Sequence, residues 1–268
     1  MANSINTNYG ASIALQNLNK TNSQLETTQN RINTGMKVST AKDNGAIFAI
    51  ATSQRANMGA MDAVRNSLQR GQSIVDVALA AGDTVTAALE EMKSLAVNIA
   101  SSTGDAQTAY LADFNAMGKE IASALSGATF DGVNLWTTAG ATALTTNTTG
   151  GTYDVGFAAA PSAAATITAI NTGAVTAANA TVTAVDSAIK TVTDSLATLG
   201  TQSKSVGRQI TFVNKLQDAT EAGIGNLVDA DLAKESAKLT ALQTKQQLGV
   251  QALSIANSSS SVLLSLFR

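Results

Sequence analysis

The sequence contains no cysteine and no histidine. Without cysteine there are no disulfides, thiolate metal sites or thiol nucleophiles. Without histidine the commonest general base and the commonest metal ligand are both missing. There is one proline, Pro161, so nothing interrupts long helices in either half. Aromatic residues make up 4%, with a single tryptophan, Trp136, too few for a large aromatic core. Charged residues reach only 13% and the net charge is -2. No run of Lys and Arg is long enough to follow a phosphate backbone, which argues against nucleic acid as a partner.

What is abundant is small and apolar. Hydrophobic residues are 44% of 268 and lean on alanine, a composition that suits closely packed helices. Residues 1–19 have no basic stretch, no continuous apolar run and no small-residue cleavage site, so they do not read as a cleavable secretory signal. Residues 246–267 carry no charge over 22 positions, the length of a membrane span. Gln246, Gln247, Gln251, Asn257 and Ser258 to Ser261 lie within that stretch, and lipid leaves so many polar groups poorly satisfied.

Hydrophobic periodicity supplies the organisation. A 3-4 repeat steps through Ile47, Ile50, Gln54, Asn57, Met61, Val64, Leu68, Gly71, Val75, Ala78, Gly82, Val85, Leu89, Met92, Ala96 and Ile99, with twelve of sixteen positions apolar. A repeat sustained this long reads as a coiled-coil-like seam, roughly 80 Å of helix at ~1.5 Å per residue. A second seam runs Val182, Val185, Ile189, Val192, Leu196, Leu199, Ser203, Val206, Ile210, Val213, Gln217, Thr220, Ile224 and Leu227, with eleven of fourteen apolar. Between them a shorter amphipathic segment carries Tyr110, Leu111, Phe114, Ile121 and Leu125 after the turn-like stretch Ser101 to Asp105. Packing these three stripes together buries all of them. The expected fold is therefore mainly α: an antiparallel rod of two long helices and one short one. Asp131-Gly132, and the alternation of Tyr153, Val155 and Phe157, add a small hairpin. Ala/Thr/Gly-rich residues 137–181 read as an exposed, variable tip with few prospects for a core of its own.

The ends carry a sparser repeat: Leu18, Leu25 and Ile32, then Leu232, Leu239 and Leu253, with Gln246 between the last two. If the long helices are antiparallel, both ends emerge on one side. No charge precedes Lys20 and none lies between Lys245 and Arg268. A helical pair so poor in charge leaves apolar surface to be covered, which points to self-assembly. The residues assigned to that assembly interface are Leu15, Leu18, Leu25, Ile32, Leu232, Leu239, Leu242, Leu253, Ile255, Leu263, Leu266 and Phe267, whether they pack within one subunit or between neighbours. The resulting division is 1–40 with 232–268, 41–136 with 182–231, and 137–181.

Motifs that elsewhere carry chemistry are weak here. Ser39-Thr40-Ala41-Lys42 fits S-x-x-K, but the companion motifs of serine acyl-enzymes are missing, and a helix-start turn accounts for it. Gly118-Lys119 lacks the flanking residues of a phosphate-binding loop. Asp229, Asp231 and Glu235 sit where acidic residues complement a helix N-terminus, and too few carboxylates converge for a metal site. Asn147-Thr148-Thr149 and Asn179-Ala180-Thr181 fit the N-glycan sequon, a short and unspecific pattern. No catalytic residue, cofactor or metal site is assigned.

The ends nevertheless carry longer signatures. Arg31-Ile32-Asn33-Thr34-Gly35 with Ala41-Lys42-Asp43-Asn44-Gly45-Ala46, Leu95-Ala96-Val97, Phe130-Asp131-Gly132-Val133, Leu199-Gly200, Asp229 to Glu235, and Gln247 to Asn257 together resemble the bacterial flagellins. The resemblance covers both ends of the chain. It implies a structural subunit of the extracellular motility filament, with the terminal helices as an inner tube, the rod as the surrounding layer and 137–181 facing outward, without large outer domains. It also implies export unfolded through the flagellar type III pathway, an export chaperone covering the C-terminal helix, and hook-junction and cap proteins as partners. In some relatives surface hydroxyls carry O-linked sugars, which extends that expectation to Thr145, Thr146, Thr148, Thr149 and Ser162. Two departures stand out. Glu90-Glu91-Met92-Lys93-Ser94 occupies the segment where many relatives present a basic residue and a glutamine to the innate immune flagellin receptor. Asn226 stands where the family usually has an arginine before Asp-Ala-Asp. The hook-filament junction protein shares the terminal plan, and a membrane-active helical protein is the alternative from another class.

Overall fold

The computed structural model describes residues 8–265, with backbone alone over 259–265. Among the described residues six helices, α1 (Tyr9–Thr34), α2 (Gly45–Ser101), α3 (Asp105–Gly127), α4 (Ala165–Asn171), α5 (Val182–Val228) and α6 (Leu232–Ser265), are joined by a hairpin of β1 (Thr142–Thr145) and β2 (Thr152–Val155) and a 3-10 turn, Pro161–Ala163. The fold is mainly α with one small hairpin, as the two seams and the sparse prolines require. Contacts divide it into two compact units: residues up to Ala56 together with those from Ala219, and Asn57–Asp218.

In the Asn57–Asp218 unit the seams do what their period predicts. Every seam position of α2 from Val64 to Ile99 is buried, and Val185, Val192, Leu199, Val206 and Val213 of α5 join them with Phe114, Ile121 and Leu125 of α3. Antiparallel register follows from Gln72 Nε2, which donates to Ser203 Oγ at 2.7 Å, and Gln217 Nε2, which donates to Asp62 Oδ1 at 3.2 Å. The two seam glycines are holes that knobs fill. A Cβ on Gly71 would lie 2.1 Å from Leu144 Cδ1, and one on Gly82 2.4 Å from Leu196 Cδ2 and 2.8 Å from Trp136 Cζ2. Trp136 is fully buried; its indole Nε1 donates to the Ala78 carbonyl at 2.7 Å, so its polar edge is satisfied inside the core.

Asn134 fixes the turn that delivers Trp136. Its Nδ2 donates to the Leu125 carbonyl at 2.8 Å and its Oδ1 accepts from Trp136 N at 2.9 Å. Asp131 and Gly132 both take positive φ, 50° and 76°, the geometry that Asp-Gly favours in a tight hairpin turn.

Residues 137–181 are less exposed than their composition suggests. They build no separate core; Leu144, Val155, Ile167, Ile170, Val175 and Ala180 join the main one. Two side-chain amides clamp the segment down. Gln202 accepts from Gly156 N and donates to Gly156 O, both at 2.9 Å, and Asn115 does the same with Val175 at 2.6 and 3.1 Å. Few large side chains suffice when each enters a prepared hole.

In the other unit the seams slip by one residue at their outer ends. Ala51 and Val228 are buried, whereas Ile50 is 51% and Leu227 37% exposed. The chain after α1 supplies the reason. Lys37 N and Val38 N both donate to the Val228 carbonyl, at 2.6 and 3.2 Å, and Met36 bridges Asp229. That extended strip, with buried Val38, replaces the helix-on-helix surface that sets the repeat elsewhere.

Candidate functional site

Helices α1 and α6 form an antiparallel pair whose seam can be read position by position. Asn8 caps α1, its Oδ1 accepting from Ala11 N at 3.0 Å, which satisfies a first-turn N–H. Gly35 ends α1 in the left-handed region at φ 70°, a position glycine fills without a Cβ penalty. Inward positions on α1 are Ala11, Ala14, Leu18, Thr21, Leu25, Thr28 and Ile32; on α6 they are Glu235, Leu239, Leu242, Gln246, Gly249, Leu253 and Ala256. Both rows keep a 3-4 spacing.

This seam is thin and partly polar. Its buried members are Thr28, Leu242 and Glu235. Leu18 packs over Gly249, where an added Cβ would meet Leu18 Cδ1 at 3.3 Å. Polar groups fix the register: Asn8 Nδ2 donates to the Ala256 carbonyl at 2.7 Å, Gln246 Nε2 to Asn22 Oδ1 at 2.9 Å, and Arg31 pairs with Glu235 at 3.1 Å. Lys238 stands 3.8 Å from the second oxygen of Glu235.

The predicted interface residues therefore separate into two groups. Leu18, Leu25, Ile32, Leu239, Leu242 and Leu253 lie on the seam between the two helices. Leu15, Leu232 and Ile255 point away from it and are 48, 49 and 69% exposed. The side chain of Leu263, and Leu266 and Phe267 altogether, lie outside the described residues. Periodicity missed Tyr9, Ile13, Leu248 and Val250, all of them exposed and apolar. Their signal was their position: they fall off the heptad seam in a segment almost free of charge. Among the described residues no helix is long and apolar enough to cross a membrane.

The weak motifs resolve into local structure. Asp43 Oδ2 accepts from the backbone N–H and hydroxyl of both Ser39 and Thr40, at 2.9–3.2 Å. The Thr40 amide and then that of Ser39 hold the Asp43 carboxyl below its ordinary pKa, because they bond the charged form. Ser39 thus closes a capping turn. Asp231 Oδ1 accepts from Lys234 N at the start of α6, and Glu235 is the partner of Arg31. Among the described residues no three His, Cys, Asp or Glu side chains are grouped to hold a metal ion. Asn147 Oδ1 accepts from Thr149 N, Thr149 Oγ1 and Gly151 N, forming the turn of the hairpin. Of the hydroxyls singled out, Thr148 and Thr149 are exposed at that turn, while Thr145, Thr146 and Ser162 are half-buried.

Comparison with known proteins bears on both ends. Residues 5–141 match the family described as the bacterial flagellin N-terminal helical region, and residues 182–267 match the bacterial flagellin C-terminal helical region. The chain is 53% identical over 271 residues to flagellin FljK of Caulobacter vibrioides, covering 99% of each. It is 52% identical over 270 residues to flagellin FljM of the same organism, again over 99% of each. A flagellin of Brucella melitensis is 39% identical over 280 residues, at 99% coverage of both chains.

Proposed function

The chain belongs to the bacterial flagellin family, and from that premise we propose that it polymerises through the outward faces of its terminal helix pair. It is a structural subunit of the flagellar filament, assembling outside the cell with copies of itself or with related flagellins. The observation that supports the terminal route is the set Ile13, Leu15, Leu248, Val250 and Ile255, spread over both outward flanks of α1 and α6. All five are exposed and lie off the seam between the two helices, and exposed apolar side chains gathered on one helix pair mark an interaction face.

Several finer assignments go with this reading. Residues 1–40 and 232–268 form the inner tube, 41–136 and 182–231 the layer around it, and 137–181 faces outward. The chain has no catalytic role and needs no cofactor. It is exported unfolded without a cleavable signal, with a chaperone covering the apolar face of α6, and it meets hook-junction and cap proteins at the two ends of the filament. O-linked sugars, where attached, go first to the exposed Thr148 and Thr149. The Glu90 to Ser94 segment weakens recognition by the innate immune flagellin receptor.

The test is assembly of the purified full-length chain beside the variant Leu15→Asp, Leu248→Asp, Ile255→Asp. Electron microscopy is expected to show micrometre filaments for the parent, and a helical monomer for the variant. Filaments of equal length from the variant would overturn the terminal route. Short closed rings from the parent would favour a junction protein instead.

A further inference from the structure

The Asn57–Asp218 unit carries two unfilled surfaces of opposite character. The first is an open groove of about 490 Å³ between α2 and α3, lined by Glu91, Ser94, Leu95, Asp113, Ala116 and Met117. Leu95 and Met117 are its half-buried floor, and Glu91 and Asp113 are exposed on its rims. The second is a ridge on α5. Phe212, 59% exposed, stands with Arg208 at the edge of a shallow open depression that Tyr153, Ser205 and Gln209 also line. Lys204, Arg208, Phe212 and Lys215 follow each other at steps of three or four, which places them on one helix face. Arg208 donates to Ser205 Oγ at 2.9 Å. Among the described residues none of Glu91, Asp113, Lys204, Arg208 and Lys215 forms a salt bridge.

We propose that the Arg208–Phe212 ridge of one subunit docks into the Glu91–Asp113 groove of a second copy of this chain. This rests on the filament reading and adds to it a specific contact away from the terminal helices. The apolar parts match, since an aromatic knob meets a floor of Leu95 and Met117, where sulfur-aromatic contact is favourable. The charges match as well, a cationic stripe against two carboxylates that form no salt bridge among the described residues, and such complementarity sets register between partners. The two surfaces share no residue, so the contact is heterologous. A heterologous contact that does not close generates an open polymer. The register of α2 against α5 sets Phe212 near the level of Asn66. From Asn66 to Lys93, at the groove, is roughly 40 Å of helix at ~1.5 Å per residue, so each docking step displaces the next copy along the bundle instead of pairing two copies face to face.

Charge exchange between copies tests this. In one full-length variant Arg208→Glu reverses the ridge; in another Glu91→Lys with Asp113→Lys reverses the groove. Seeded elongation is followed by sedimentation, and the fold of each monomer by circular dichroism. Each variant alone is expected to raise the critical concentration about tenfold or more, because like charges then face each other. Mixed in equal amounts the two are expected to co-elongate within about threefold of the parent, since every junction in an alternating polymer is again complementary, and a chain carrying all three changes should behave likewise. Should a reversal perturb the monomer, Arg208→Gln and Glu91→Gln carry the same test with a smaller rise. Elongation of either single variant at the parental level assigns the ridge to some other partner and overturns the proposal. So does a mixture of folded variants that stays as defective as its components. Failure of the parent itself to elongate would count against the filament reading instead.

Discussion

Along α2 from Val64 to Ile99 the inward side chains are Val, Leu, Met, Ile, Ala and Gly, all buried. Along α1 the same spacing brings Ala11, Ala14, Leu18, Thr21, Leu25, Thr28 and Ile32 inward, and only Thr28 is fully buried. Both stretches obey one period, yet the first closes a core and the second closes a narrow contact held in register by Asn8, Asn22–Gln246 and Arg31–Glu235. Exposed apolar residues divide the opposite way. Of the thirteen large exposed hydrophobics among the described residues, seven lie on α1 and α6, which together hold 60 residues (26 and 34). A heptad therefore specifies which residues face a partner helix, but the size of the side chains decides whether that partner is enough. The bundle around Trp136 is sufficient in itself. The terminal pair leaves Leu15, Leu232, Leu248, Val250 and Ile255 uncovered.

Substitutions sharpen this contrast when aimed at one unit and read in both. Trp136→Ala has the largest expected effect. It removes a buried ring packed on Gly82 and near Phe157 (centroids 6.2 Å apart), together with the indole's hydrogen bond to the Ala78 carbonyl. We expect a loss of about 3–5 kcal/mol, seen in the denaturant midpoint of the chain. Gly82→Ala comes next. The new methyl overlaps Leu196 and Trp136, and overpacking of this kind costs about 1–3 kcal/mol in the same measurement. Arg31→Ala acts in the terminal unit alone. It leaves the Glu235 carboxylate, 11% exposed, with the distant Lys238, and about 1–2 kcal/mol is lost from the helix pair. Amide exchange should accelerate in α1 and α6 and stay unchanged around Val75 and Val192.

The smallest effect is a titration. Hydrogen bonds from Thr40 and Ser39 depress the Asp43 carboxyl below 3.8. A folded pKa below the unfolded one adds stability that is complete above the unfolded value and lost as pH falls through the folded one. Carbon NMR should place the Asp43 midpoint below the ordinary aspartate range in the parent. In Thr40→Ala, which keeps the amides and removes a hydroxyl, the midpoint should move partway back.

Much of this was legible in advance because large aliphatic side chains at fixed steps have few other uses. The α2 and α5 seams, the short return helix, the Asp131-Gly132 turn and the inward set Leu18, Leu25, Ile32, Leu239 and Leu253 all follow from spacing. What spacing does not encode is a knob entering a distant hole. Leu144 is buried against Gly71, more than seventy residues earlier, and Ile167 and Ile170 sit in a stretch with no period. Composition alone therefore gave residues 137–181 too much exposure. The exposed apolar residues of the terminal helices were only partly visible, since Leu15, Leu232 and Ile255 stood out as bulky while Ile13, Leu248 and Val250 lacked a repeat to mark them. Glu235 read as a dipole-complementing acid at a helix start, and its burial against Arg31 depends on a partner 204 residues away.

Hydrogen exchange on monomer and filament tests the central claim, that the terminal pair is completed only by neighbouring copies. Amides of α1 and α6 are expected to exchange rapidly in the monomer and to become strongly protected in the filament, while those of residues 64–99 and 185–213 are protected in both. Terminal amides as well protected in the monomer as those of the α2 seam would contradict it.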